Sequence, residues 1–309
     1  MDTLNNRQNE KKEREHQSNV IKWALACSMG AALLLFIWIG SGIWKEYRDM
    51  IMDTQKEQML VTVESISESM EMFIGFCESD LNGLYEMTKE NWAEEGTADW
   101  SVLKDFLDTH SSYVYDIVAF DQSGRILSSE KNVRIKEMYS KNRMSETCSL
   151  IQAKLDNDKQ YWILKKDLGT DGSLAMMIDG EWYYQSLISD LQIGNNGYVV
   201  IKDSDGVILM HPEQQQWGIE VIEGRMEMYP DLDLESLNAM IEEQKKGKKG
   251  VADYYSYWWM KPELPRVRKI AAYAPAKMGD SFMIVSAVMD YDDIYIPIAE
   301  GVQRLIFLF

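Results

Sequence analysis

An uninterrupted apolar segment, Trp23 to Trp44, stands directly behind a lysine-rich head and directly ahead of a long acidic region. About 22 residues without a charge, at roughly 1.5 Å rise each, cross a hydrocarbon core about 30 Å thick. A helix in the core of a soluble protein seldom stays uncharged for so long. Trp23 and Trp44 suit the two water interfaces, and Lys11, Lys12, Arg14 and Lys22 flank the N-terminal side, which places that side in the cytoplasm. A cleaved signal peptide would carry a shorter apolar region ending in small residues, whereas this one runs into Trp44-Lys45-Glu46-Tyr47. The expectation is a cytoplasmic head at 1–22, a transmembrane helix at 23–44, and an extracytoplasmic region from residue 45 onward in the cell membrane.

Charge divides the chain at the same place. The formal net charge is −18, yet residues 1–22 hold five Lys/Arg against four Asp/Glu, so the remainder carries 27 basic and 46 acidic residues, or −19. Such an excess argues against nucleic acid, because a phosphate-binding surface needs net basic charge. It also keeps the region beyond the anchor off anionic lipid headgroups. Hydrophobic content of 46% and ten Trp supply ample core for one large or two small domains.

Cysteine and histidine add little. Cys27 lies in the apolar segment; Cys77 and Cys148 stand far apart, with a disulfide permitted but two unpaired thiols the simpler expectation. The three His, at 16, 110 and 211, are too dispersed for a metal site, and no CxxC spacing occurs, so neither metal nor cofactor is expected.

From Lys45 to about Trp92 the chain has no proline, and apolar residues recur at Met59, Val63, Ile66, Met70, Ile74, Cys77, Leu81 and Leu84. Steps of three and four describe one face of a long helix, a stalk over 45–95 that reaches roughly 70 Å. Packing against its own domain is expected to claim most of that face, with a homodimer contact along part of the helix. A short amphipathic helix is predicted at Trp100 to His110. Then Tyr113 to Phe120, the turn Asp121-Gln122-Ser123-Gly124, and Arg125 to Ser128 read as a hairpin. A second copy follows: Tyr198 to Lys202, Asp203-Ser204-Asp205-Gly206, Val207 to Met210. One signature repeated about 80 residues apart predicts two related modules.

After the first hairpin, Glu137 to Asp156 reads as polar helix or loop, Gln160 to Lys166 and Leu174 to Asp179 as strands, and Trp182 to Leu191 as a closing helix. After the second, Leu232 to Lys246 reads as a helix capped by Asp231 or Asp233 and ended by Gly247. Strands are expected at Gly250 to Trp259, Arg268 to Pro275 and Ser281 to Val288. The fold class is therefore α+β: a long N-terminal membrane-spanning and stalk helix, then two modules with antiparallel sheets.

Ile193-Gly194-Asn195-Asn196-Gly197-Tyr198-Val199-Val200-Ile201, the Asp205-Gly206 turn and Ile208-Leu209-Met210-His211-Pro212 resemble the second module of the double Cache domain, an extracytoplasmic sensor of bacterial transmembrane receptors. Ala272-Tyr273-Ala274-Pro275, Phe282 to Ser286 and Tyr291 to Ile298 are similar to that family's final strands and exit helix. The resemblance covers about residues 45–298. It implies two PAS-like modules, membrane-distal at 96–190 and membrane-proximal at 191–298, and a distal pocket for a small molecule such as an amino acid, organic acid, amine or purine. Asp179, in Met176-Met177-Ile178-Asp179, matches the family's strand-end aspartate that holds a ligand amine; Tyr139, Arg143 and Trp162 offer suitable chemistry in the right region without the family's spacing.

Each candidate has a plainer role. Asp179 suits a cap for the following helix, Trp162 suits a core position, and Arg143 suits a solvated loop. His211-Pro212 closes a strand, Lys245 to Lys249 offsets a helix C-terminus, and Asp231, Asp233 and Glu235 fit a helix start better than a calcium loop. No GxSxG, HExxH, Walker loop or GxGxxG follows a strand, so no catalytic residue is assigned within 45–298. The stretch 299–309 begins a second apolar segment much shorter than the roughly 20 residues that a span needs, read here as a truncated second span, with any enzymatic output module beyond residue 309. The expected function is the sensor region of a receptor of histidine kinase, chemoreceptor or cyclic-dinucleotide type. The alternative is a membrane-anchored interaction or cell-envelope protein whose Cache-like fold binds a protein partner.

Overall fold

The computed structural model describes residues 2–95, 99–132, 134–188, 191–259, 261 and 263–308. The chain divides into two units: the segments up to Thr54 and from Pro297 form one, and Gln55–Ile296 the other. Helix α1, Asp2–Glu95, belongs to both, as does the last helix α6, Tyr291–Leu308.

In the first unit, the apolar run of α1 exposes Leu33, Leu34, Leu35, Phe36, Ile37 and Trp38 in succession, an all-round apolar surface that water would not tolerate. Its hydroxyls turn inward: Ser28 Oγ donates to Leu25 O at 2.9 Å and Ser41 Oγ to Trp38 O at 2.8 Å, which satisfies them without an outside partner. Among the described residues this is a helix long and apolar enough to cross a membrane.

In the second unit, every residue of the stripe from Met59 to Leu84 is buried, so the helix packs lengthwise on its own domain. Two antiparallel sheets share it. The first contains β1 (Val114–Phe120), β2 (Ile126–Ser128), β3 (Ile135–Arg143), β4 (Cys148–Leu155), β5 (Gln160–Asp167) and β6 (Ser173–Asp179), in the order β2-β1-β6-β5-β4-β3. Helix α2 (Trp100–His110) precedes it, capped by the Asp99 carboxylate, and α3 (Gly180–Ile188) follows. The second sheet contains β7 (Tyr198–Asp203), β8 (Ile208–Met210), β9 (Gly250–Tyr257), β10 (Arg266–Met278) and β11 (Ser281–Asp290), in the order β8-β7-β11-β10-β9, with α4 (Glu223–Met228) and α5 (Glu235–Gln244) between β8 and β9. The helix meets both sheets. Lys56 pairs with Asp253 of β9 at 2.9 Å and Glu64 with Lys249 just before it; in the first module Phe73 stacks on Tyr183 of α3 at 4.3 Å and Tyr85 Oη donates to Asp171, in the turn between β5 and β6, at 3.1 Å.

The repeat predicted from the two hairpins is physical. Asp121 Oδ1 accepts the N–H groups of Ser123 and Arg125, both at 2.9 Å, and Asp203 Oδ1 accepts those of Asp205 at 3.0 Å and Val207 at 2.9 Å. Gly124 and Gly206 close the two turns at φ +81° and +92°, a conformation that glycine adopts without steric cost. In each sheet the hairpin lies at one edge, and the last strand pairs with the hairpin's first strand. The segments between the hairpin and the rest differ. The second module inserts α4 and α5 there; the first has only residues 129–134 before β3.

One expectation fails. Glu137 to Asp156, read as helix or loop, forms most of β3 and β4. Strand β4 is buried at Cys148, Leu150 to Ala153 and Leu155, on both faces, so its apolar residues lack a two-residue alternation. Strand β3 is polar because it is an edge, with Ile135 to Met138 exposed and its register broken twice, which also discourages pairing with another chain. Smaller shifts have local causes. Helix α5 starts at Glu235, whose N–H donates to Asp233 Oδ1, rather than near Leu232. Helix α4 was not anticipated. Cys77 and Cys148 are both free and buried.

The two modules interlock. Gly279 has φ +63°, and a Cβ there would lie 1.5 Å from Met144 O in the first module. Gly218 likewise faces the Tyr139 ring, which a Cβ would approach to 2.4 Å. Gly279→Ala should therefore destabilise the protein by at least about 2 kcal/mol, read as a lowered denaturation midpoint, whereas Gly83→Ala, which meets nothing within 4 Å, should be neutral or stabilising.

Candidate functional site

Strand alternation assigns the first sheet's two faces. Tyr161, Ile163, Ala175, Met177, Val118, Ile151, Ala153 and Leu155 form one cluster, covered by Tyr115, Phe120 and Ile126. Asp179 pairs with Tyr161 in register and shares the parity of Ala175 and Met177, so it stands at the end of this face. Its Oδ1 accepts the Trp182 N–H at 3.0 Å, which caps the start of α3. A narrow crevice opens beside it, lined by Lys159, Gln160, Asp179, Glu181, Gln214 and Trp217, with the last two contributed by the second module.

Tyr139 reaches the same neighbourhood: Gln160 Nε2 donates to its hydroxyl at 3.1 Å while its ring covers Gly218. Trp162 is on the other face. It is fully buried, edge-on to Tyr183 at 5.0 Å, and Tyr183 in turn stacks on Phe73 of α1. Arg143 is exposed on the edge strand, with Nε donating to Ser145 O at 3.1 Å. The structure thus gathers Asp179 and Tyr139 around Gln160 and leaves Trp162 and Arg143 apart. Asp116, also buried in this module, is fully engaged by the Ile117 and Lys131 N–H groups and the Ser129 hydroxyl, and so holds the strap after β2.

The second module holds a cavity that the sequence did not announce. Strand residues Tyr198, Val200, Lys202, Ser256 and Ser286 form its floor and α5 forms its roof with Leu237, Met240, Ile241 and Gln244; His211 and Arg225 close it from the connecting segment. Lys202 Nζ donates to Ser286 Oγ at 3.1 Å, and Arg225 Nη2 to Gln216 Oε1 at 3.2 Å, its guanidinium 3.9 Å from the Trp259 ring centre. His211 accepts the Glu213 N–H on Nδ1 at 3.0 Å, which assigns its proton to Nε2. Lys269 stands behind Tyr198, donating to Tyr257 O at 2.7 Å. The one clue to Lys202 in the sequence was its parity with Tyr198 and Val200, which places a lysine on an inward face.

Burial, then the neighbouring cations, set the protonation here. Lys202 and Lys269 are each pushed down to about 7, by desolvation first and Arg225 second, with Asp290 drawing Lys269 back up. His211 falls to about 3 through desolvation and then Arg225, Lys269 and Lys202, and so stays neutral. The unfolded chain keeps both lysines protonated well above pH 7, so between about pH 7 and 8.5 it binds more protons than the native state, and stability rises with pH. Above that window Cys77 and Cys148, raised to about 12 by burial, pull the other way. Denaturant melts across the window should show this rise, up to about 1 kcal/mol per pH unit for each lysine, and Lys202→Met should remove its share.

Comparison with known proteins agrees with this architecture. The ligand-binding domain of the Pseudomonas aeruginosa amino acid chemoreceptor PctB, in complex with L-Gln, superposes with a TM-score of 0.54 at 14% identity, covering 82% of this chain and 98% of that one. The ligand-binding domain of the Pseudomonas fluorescens chemoreceptor CtaA, in complex with L-isoleucine, gives 0.51 at 14% identity over 81% and 98%. At that identity the likeness concerns the fold. No curated protein sequence matches the chain. The sequence profile of the Cache domain matches residues 46–298, and the chain belongs to the Cache domain family.

Proposed function

We propose that residues 45–298 are the extracytoplasmic sensor region of a bacterial transmembrane signalling receptor of histidine kinase, chemoreceptor or cyclic-dinucleotide type, with the N-terminus in the cytoplasm. The observation that carries this reading is the continuity of α1. One helix bears the apolar segment and, further along, the buried stripe against both sheets, so a strain that a solute imposes on either sheet acts on the same rod. A ligand does this through its differential affinity for two arrangements of the unit.

Within the membrane-distal module, over 96–190, the proposed contact for the ligand is Asp179, with Tyr139 beside it; a ligand ammonium would replace the cap that the carboxylate now gives to α3. The ligand class is an amino acid, organic acid, amine or purine. The chemoreceptor domains that share this fold were solved with L-Gln and L-isoleucine, which favours the first of these. The proposed assembly is a homodimer along α1, where Met72 and Phe76 lie 59% and 68% exposed on the side turned away from the sheets, with Gly75 open between them. A second reading, a membrane-anchored protein that binds a protein partner, draws on the first sheet's inner face, which is already filled by its own side chains.

Thermal melts of the full chain in detergent against these solute classes test the sensor. A true ligand stabilises the folded chain by RT ln(1 + [L]/Kd), about 2.7 kcal/mol at a hundredfold excess over Kd, and so raises the melting temperature; Asp179→Ala should abolish the rise for an amine-bearing ligand. Silence from a folded protein would move the assignment to the partner-binding reading. For the dimer, Phe76→Cys should give an oxidised, disulfide-linked species on gels, and Phe76→Glu should shift the chain towards monomer; a monomeric parent chain would overturn the arrangement.

A further inference from the structure

A buried side-chain cation ordinarily sits against a carboxylate, because a desolvated charge with no counter-charge is costly. Lys202 of β7 and Arg225 of α4, 2% and 4% exposed, form no ion pair among the described residues. The carboxylates nearby are engaged elsewhere: Glu220 takes the N–H groups of Ile222 and Glu223 and pairs with Lys245 at 3.7 Å, and Asp290 accepts the Trp258 Nε1–H at 2.8 Å. Polar atoms of the wall around these two cations also lack a partner among the described residues, namely Arg225 Nε, His211 Nε2, Ser256 Oγ and Gln244 Oε1, all in buried residues.

Arg225 Nε and, in its assigned tautomer, His211 Nε2 only donate; the Ser256 hydroxyl turns freely, and a flip of the Gln244 amide presents its NH2 group. Water answers such a set poorly, since it brings two protons of its own and no charge to set against Arg225. The rest of the wall is apolar, with Val200, Val221, Leu237, Ile241 and Val288, so an anion that is held weakly by water loses least on entering. Size then decides between kinds of anion. The enclosed space is about 30 Å³, and one water needs roughly 10–15 Å³ measured in the same way. A single monatomic ion somewhat larger than water fits; a carboxylic acid, phosphate or sulfate does not.

We propose that Arg225, Lys202, His211 and Ser256 form a site for one halide ion, chloride in ordinary aqueous surroundings. The ion supplies the counter-charge that the two cations lack, and through them it ties α4 to β7. It is an inorganic structural ion, distinct from any solute at Asp179, and the site stands whether or not the first module takes one. Proton linkage gives it a signature. Between about pH 7 and 8.5 Arg225 stays charged, while burial keeps His211, Tyr198 and Tyr254 neutral. Lys202 is then the group of the wall that titrates, with Lys269 of β10 behind Tyr198 and outside the wall. An anion beside Lys202 favours its protonated form, so the native chain regains a proton and the difference from the unfolded chain shrinks. The share of Lys202 in the rise of stability with pH is therefore present in a halide-free salt and reduced in chloride.

The test uses the full chain in detergent with sodium chloride, bromide, sulfate and gluconate at matched ionic strength. Chloride and bromide are expected to stabilise it saturably in denaturant melts, whereas sulfate, which acts by exclusion from the surface, gives no saturation. Chloride NMR supplies a readout independent of stability: the protein broadens the chloride line, and bromide competes the excess width away. Arg225→Met weakens the apparent affinity by roughly 10- to 100-fold, the loss expected for a hydrogen bond to a charged group, and Asp179→Ala leaves it unchanged. Should Arg225→Met fail to fold, Lys202→Met and the cavity-filling Val221→Phe serve instead, each expected to lower the excess width. Non-saturating effects common to all four salts, no line broadening by folded protein, or a halide response untouched by the Arg225, Lys202 and Val221 variants would overturn the proposal. So would a pH dependence of stability that is the same in chloride as in gluconate.

Discussion

The fold depends on a single buried stripe along α1. The row of residues from Met59 to Leu84 is buried along its whole length. Phe73, Tyr183 and Trp162 show how the load is shared: a ring on the helix stacks on a ring of α3, which meets a ring of the sheet edge-on. Such contacts tolerate little sliding, because packed interiors respond to displacement by repacking in discrete steps.

The helix-wide pattern was legible in sequence because its period is unmistakable over seven turns. The hairpins were legible for a different reason: Asp and Gly at fixed offsets meet a geometric demand that few other residues satisfy, so both turns could be read at residue level. The Gly194 to Gly197 motif belongs to the same class. A Cβ on Gly197 would lie 2.2 Å from Ile193 O, and the loop is tied to α6 by Asp293, which accepts the Asn195 N–H at 3.0 Å.

What escaped was whatever depends on partners distant in sequence. Strand β3 has no intrinsic signal, since an edge strand is polar by necessity, and only its pairing with β4 defines it. The cavity is similar. Lys202 and Arg225 come from a strand and from a short helix, and the sequence held no sign that both would be walled in by α5. The candidate residues show the same limit: Asp179 and Trp162 lie on neighbouring strands, yet strand parity sends them to opposite faces, one towards the crevice and one towards the helix.

The contact of Gly279 with Met144 has a mechanical consequence. A turn of one module is seated directly on the backbone of the other, with no side chain between them to act as a cushion. Hinge motion at this point would have to open a backbone contact, so the two sheets are held in register with one another where Gly279 meets Met144.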